Sequence, residues 1–92
     1  MFRYENILIQ SGVSQDVTTG GGDMTVYFNA EFKLNTLPVV VCTPRYINNP
    51  NLVLTISDIS SKYFKVYIKD SSGNVISNST QRVFWIAIGF IN

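Results

Sequence analysis

The sequence predicts an all-β fold: a six-stranded antiparallel β-sandwich of two small sheets. Three observations carry that prediction. Val, Ile and Thr total 27 of the 92 residues, whereas Ala, Leu, Glu, Lys and Met together total 15. Side chains branched at Cβ fit a pleated sheet and crowd a helix. Short apolar or alternating runs are separated by turn-forming residues, and no window repeats at helical spacing behind a capping residue. A closed barrel is the alternative architecture for so many short strands.

The runs follow in order. Ile7-Leu8-Ile9 is the first, closed by Ser11-Gly12. A polar stretch then leads to Thr18-Thr19-Gly20-Gly21-Gly22-Asp23, and three consecutive glycines belong to a loop. Met24, Val26, Phe28, Ala30 and Phe32 alternate with Thr25, Tyr27, Asn29 and Glu31, the clearest strand of the chain. Asn35 to Pro38 turns the chain into Val39-Val40-Val41-Cys42, apolar on both faces, and Pro44 to Asn51 is a loop. Leu52, Leu54 and Ile56 alternate with Val53, Thr55 and Ser57. After a turn at Asp58 to Ser61, Phe64, Val66 and Ile68 alternate with Tyr63, Lys65, Tyr67 and Lys69, a hairpin partner with one wet face. Asp70 to Asn74 is a turn, Val75 to Gln81 a polar excursion, and Val83 to Ile91 the closing strand. No repeat or linker interrupts this pattern, so residues 1–92 read as a single domain, with 1–5 as a connection to an upstream segment.

Composition bounds the function. A chain of 92 residues leaves no room for a large enzyme cleft, while a hydrophobic share of 46% supports a packed core. A net charge of +1 lacks the basic field that drives nucleic-acid binding. His is absent, which removes the commonest general base and the commonest metal ligand. The acids Glu5, Asp16, Asp23, Glu31, Asp58 and Asp70 are scattered over turns and surfaces, and no nucleophile has a base partner. The expectation is a non-enzymatic protein with no cofactor and no metal. Cys42 lies in an apolar run and reads as a small hydrophobe. No signal peptide and no apolar run of about 18 residues is visible, so the chain is expected to be soluble and not inserted in a membrane.

The closing strand has two apolar faces: Phe84, Ile86, Ile88 and Phe90 on one, and Val83, Trp85, Ala87, Gly89 and Ile91 on the other. Only one face of a strand meets the core of a two-sheet sandwich. Burying one large apolar side chain is worth about 1.5–3 kcal/mol, so exposing several forgoes an amount comparable with a domain's whole stability. Either a loop of the same chain folds over the surplus face or a further copy of the chain covers it, and loops this polar favour the further copy. Val83, Trp85, Ala87 and Ile91 are assigned to that oligomer interface.

Ligand recognition is expected in the loops. In a six-stranded meander the first, third and fifth connections share one end. That end gathers Asp23, then Arg45, Tyr46, Asn48, Asn49 and Asn51, then Asp70 and Asn74. A neutral glycan asks for directional donors and acceptors with little net charge. The plainer reading of these residues is that they satisfy turns. Tyr27, Tyr63 and Tyr67 beside Lys65 and Lys69 form either an aromatic platform or ordinary cross-strand packing, and the low net charge favours packing.

Asn6-Ile7-Leu8-Ile9-Gln10-Ser11-Gly12 resembles the opening strand of the C-terminal domains of bacteriophage tail fibres, although Ile7 stands where those have Gly and Ser11 where an aromatic is common. Phe28-Asn29-Ala30-Glu31-Phe32 followed by Leu37-Pro38-Val39-Val40-Val41 resembles their second and third strands. Phe84-Trp85-Ile86-Ala87-Ile88-Gly89-Phe90 resembles their closing motif, the most specific part of a likeness that covers nearly the whole chain. These domains are similar in turn to the H-type lectins, trimeric sandwiches that bind sugars. Asp23 could match the lectins' loop Asp, Val53 stands near the position of their Arg, and their His has no counterpart. The resemblance implies an H-type-lectin-like homotrimer in the virion, at the tip of a tail fibre, that contacts a bacterial surface glycan or another host receptor. A trimerisation or capping module without a ligand is the alternative.

Overall fold

The computed structural model describes residues 2–45 and 52–91. Those residues form seven strands: β1 (Phe2–Tyr4), β2 (Ile7–Val17), β3 (Asp23–Tyr27), β4 (Val39–Arg45), β5 (Val53–Ile59), β6 (Tyr63–Lys69) and β7 (Thr80–Phe90). Every pairing between them is antiparallel. They build a four-stranded sheet in the order β1-β2-β7-β4 and a three-stranded sheet in the order β3-β6-β5. The all-β sandwich thus stands, with seven strands where the sequence pattern gave six.

The extra strand comes from the N-terminal residues, which the pattern assigned to a connection. Phe2, Arg3 and Tyr4 pair with Ile9, Leu8 and Ile7. The turn between the strands places Glu5 at a φ of 53°. β2 also runs on to Val17, past the expected stop at Ser11-Gly12. Its polar second half stays extended because each residue from Ser11 to Val17 pairs with β7, from Ile86 back to Thr80. The ladder, not local hydropathy, holds that stretch in a strand. β3 stops at Tyr27 instead of Phe32. Beyond it the chain crosses between the sheets, with the Phe28 amide donating to the Lys62 carbonyl at 2.9 Å and the Lys33 amide to the Phe90 carbonyl at 2.7 Å.

Core positions alternate along the strands as period-two patterning requires. Met24 and Val26 from β3 and Phe64, Val66 and Ile68 from β6 meet Leu8, Val40, Val83, Trp85 and Ala87 from the larger sheet. Phe28 plugs one end of this core. Its ring centroid lies 4.9 Å from Phe32, 5.7 Å from Phe64 and 5.7 Å from Trp85. The buried Gln10 fixes the crossing segment to β2. Its Nε2 donates to the Ala30 carbonyl at 2.8 Å, and its Oε1 accepts from the Ala30 amide at 3.0 Å.

The expected interface residues of β7 need correction. Val83, Trp85 and Ala87 point into the core, with Val83 and Ala87 wholly buried and Trp85 only 5% exposed, and Ile91 packs half-buried against the same core. Small residues explain the choice of face. A Cβ on Gly12 would come 2.8 Å from Cζ2 of Trp85, so the indole occupies the space that Gly12 leaves. A Cβ on Gly89 would lie 2.6 Å from Cδ1 of Phe32. Ala87, Gly89 and Gly12 therefore mark the side where something must fit, and Phe84, Ile86, Ile88 and Phe90 are left on the outside.

Candidate functional site

β2, β4 and β7 place Val17, Arg45 and Thr80 at one end of the larger sheet, and β3, β5 and β6 place Asp23, Val53 and Lys69 at the same end of the smaller one. The connections 18–22 and 70–79 meet there, and polar bonds stitch them together. Buried Thr18 donates its amide to the Ser79 carbonyl at 2.9 Å, and its Oγ1 accepts the Ser79 amide at 3.1 Å. Ser77 Oγ donates to the Gly20 carbonyl at 2.9 Å. Gly22, at a φ of 82°, passes its carbonyl to the Ile68 amide at 2.9 Å, a backbone path that a side chain would strain. The bridge between Lys69 and Val75 then lays the start of the excursion against β6.

This frame brings together part of the expected glycan-binding set. Asp23 opens β3 directly opposite Tyr67, and one of its carboxylate oxygens accepts from Thr19 Oγ1. Asp70 and Asn74 lie together in the connection between β6 and β7, where Asp70 is committed to its own turn. One of its carboxylate oxygens accepts the amides of Ser72 and Asn74, both at 2.9 Å. The Asn74 amide, with help from Ser72 and Gly73 and the Asn74 side chain, holds the Asp70 carboxyl below the usual aspartate value. Arg45 closes β4 at this end, and Tyr46, Asn48, Asn49 and Asn51 lie outside the described residues.

Four residues that the loop reading missed form a hollow beside Asp23. Thr55, Tyr67, Lys69 and Val75 line a depression of about 250 Å³ on the outer surface of the smaller sheet. Thr55 and Tyr67 face each other across β5 and β6, and Lys69 follows on the same side of β6. The alternation of β5 and β6 carried a signal for this grouping, since all three residues sit at outward positions, but their register did not. Tyr27 and Tyr63, further along, pack edge to face with centroids 5.8 Å apart, the ordinary cross-strand arrangement.

A second surface is the outside of the four-stranded sheet. Its side chains form layers across β2, β7 and β4: Ile7 with Phe90, then Ile9, Ile88 and Val39, then Ser11, Ile86 and Val41, then Val13, Phe84 and Thr43. The last layer pairs Gln15 with Arg82, whose Nε donates to Gln15 Oε1. Ile9 is half-buried, and the other large apolar members range from 37% exposed at Ile7 to 67% at Val39.

Two facing antiparallel sheets, a polar loop frame at one end and no helix among the described residues define a small all-β sandwich module. Residues 5–90 match the family model described as "Putative tail fiber protein gp53-like, C-terminal", and the chain belongs to that family of phage tail-fibre modules. Searches of curated proteins and of solved structures each returned no match.

Proposed function

We propose that the chain is the receptor-binding tip of a phage tail fibre, a homotrimer in the virion that touches host-surface glycans with the loop end of its sandwich. The observation that carries this reading is the hollow at Tyr67 on a tail-fibre module. A sugar ring offers C–H patches that stack on an aromatic face and hydroxyls that need paired donors and acceptors. Tyr67 supplies the ring, Thr55 a hydroxyl, Lys69 an ammonium and Asp23 a carboxylate. A depression of about 250 Å³ suits one sugar residue. The Thr18–Ser79 and Ser77–Gly20 bonds tie the connections 18–22 and 70–79 to each other, which lowers the ordering entropy that opposes binding there. Arg45, Tyr46, Asn48, Asn49 and Asn51, at the end of β4 and between it and β5, extend the proposed contact surface, with Asp70 and Asn74 at its rim. Membership in a tail-fibre family fits an adhesive or structural module rather than a catalyst. No helix among the described residues is long and apolar enough to cross a membrane.

A glycan array with the purified protein tests the reading. Binding to host-surface glycans that drops at least tenfold in Tyr67→Ala and Lys69→Ala, with the fold unchanged by circular dichroism, is the expected result. Loss on Arg45→Ala or Tyr46→Ala alone would move the contact to the connection between β4 and β5. Failure to bind any glycan or any host cell would leave the second reading, a trimerisation or capping module, which the commitment of Asp70 and Asn74 to their own turn favours.

A further inference from the structure

We infer that the glycan is bound as a chain of several sugar residues laid along β6, from the hollow at Tyr67 to a second aromatic station at Tyr27 and Tyr63. The inference rests on the glycan reading above and names its substrate class: a segment of polysaccharide, not a single terminal sugar.

The outer face of the smaller sheet is built in rungs. Antiparallel pairing sets Tyr67 between Asp23 and Thr55, Lys65 between Thr25 and Asp58, and Tyr63 opposite Tyr27. Alternate residues of a strand share a face, so these rungs lie side by side on the outside while Phe64, Val66 and Ile68 are buried beneath them. An aromatic rung, a polar rung and a second aromatic rung follow one another. Tyr67 and Tyr63 stand four positions apart on β6, which at about 3.3 Å per residue separates the two stations by about 13 Å. One sugar ring cannot touch both, whereas several joined rings can.

Packing alone does not account for the far station. Tyr27 meets Tyr63 edge to face, yet it remains 69% exposed. Tyr67, at the hollow, is 42% exposed. Aromatic rings left open on a wet face offer flat apolar ground for the C–H side of a sugar. Between the stations, the Thr25 hydroxyl, the Lys65 ammonium and the Asp58 carboxylate supply the donors and acceptors that sugar hydroxyls need.

Charge then selects the occupant. The cations Lys65 and Lys69 share the strip with the carboxylates Asp23 and Asp58, so its charges balance. Single-stranded nucleic acid also stacks on aromatic rings, but its phosphates require a positively charged groove, and Asp23 and Asp58 repel them. A protein interface is depleted of charged residues at its centre, and the central rung here carries two. A hydroxyl-rich chain of low charge satisfies both the rings and the rung between them.

The test measures dissociation constants for fragments of graded length, from the single sugar upward, cut from the polysaccharide that binds best on the glycan array. Wild-type affinity should rise with length and then level off. Tyr27→Ala should weaken long fragments about three- to tenfold and leave the single sugar unchanged. Tyr67→Ala should weaken fragments of every length. Tyr27→Trp keeps an aromatic face and should bind long fragments at least as tightly as wild type, which covers the case in which Tyr27→Ala fails to fold by circular dichroism. Equal affinity for the single sugar and the long fragments overturns the strip and leaves the hollow standing. So does a folded Tyr27→Ala protein that binds every length as wild type does while Tyr67→Ala loses binding. An oligothymidine that binds more tightly than any fragment, and is weakened in both alanine variants, overturns sugar as the occupant. Absence of binding to fragments of every length overturns this inference and the glycan reading together.

Discussion

Replacing Gln10, a buried polar residue that bonds the crossing segment, should destabilise the domain substantially. Gln10 is only 1% exposed, and its amide makes two bonds to Ala30, one to the carbonyl and one from the amide. It acts as a short stretch of strand, pairing a backbone that has already left the sheet. Gln10→Ala removes both bonds and orphans a donor and an acceptor on the crossing segment. Each unsatisfied group costs about 1–3 kcal/mol. Ala30 is half-buried, so water reaches part of the gap, and a total of about 2–4 kcal/mol is expected. That is a large part of the roughly 5–15 kcal/mol that holds a small domain. Gln10→Met keeps the length without the amide, which separates hydrogen bonding from volume. In urea, with a slope of about 1–3 kcal/mol per molar, the midpoint should fall by about 1–3 M in both variants. The measurement is made at fixed chain concentration because assembly shifts apparent stability. A Gln10→Met midpoint within about 0.3 M of wild type would refute the role given to the amide.

Two further outcomes follow from the packing and the loop end. Gly12→Ala puts a methyl 2.8 Å from the Trp85 ring, so it should lower stability by about 1–3 kcal/mol, read as a lower melting temperature together with a changed tryptophan emission. Asp70, whose carboxyl is held below its ordinary value by the Asn74 amide first, stabilises the fold above the unfolded aspartate value of about 3.9, and that contribution disappears as pH falls through the lower folded value. The stability gap between wild type and Asp70→Ala should therefore shrink on acidification, with the Asp70 carboxyl resonance titrating below free aspartate; a gap that widens in acid contradicts the turn.

The parts of the fold legible in the sequence are those where one face is apolar and the other polar. Phe64, Val66 and Ile68 alternate with Tyr63, Lys65 and Tyr67, and the structure buries the first set and wets the second as that contrast dictates. β7 offered no such contrast. Alternation divides its residues into two apolar sets without saying which set faces in. The informative signal lay in the glycines: a Cβ on Gly12 would meet Trp85, and one on Gly89 would meet Phe32 and Pro38, so that side is the packed one. The second half of β2 was hidden because its pairing partners lie some seventy residues away. At the loop end, Asp23 was legible as a polar group in a glycine-rich connection. The hollow was not, because Thr55 and Tyr67 meet only once the register of β5 and β6 is known.

The irregularity in β5 has a bearing on how such a molecule survives synthesis. β5 forms one border of the smaller sheet, and its register slips between Ile56 and Asp58. A straight border would offer a row of free amides and carbonyls to any neighbouring chain, the template from which fibrous aggregates grow. The slip breaks that row in the middle and puts Ser57 and Asp58, both exposed, at the break. Newly made copies crowded around one another can then approach along this border without zipping together.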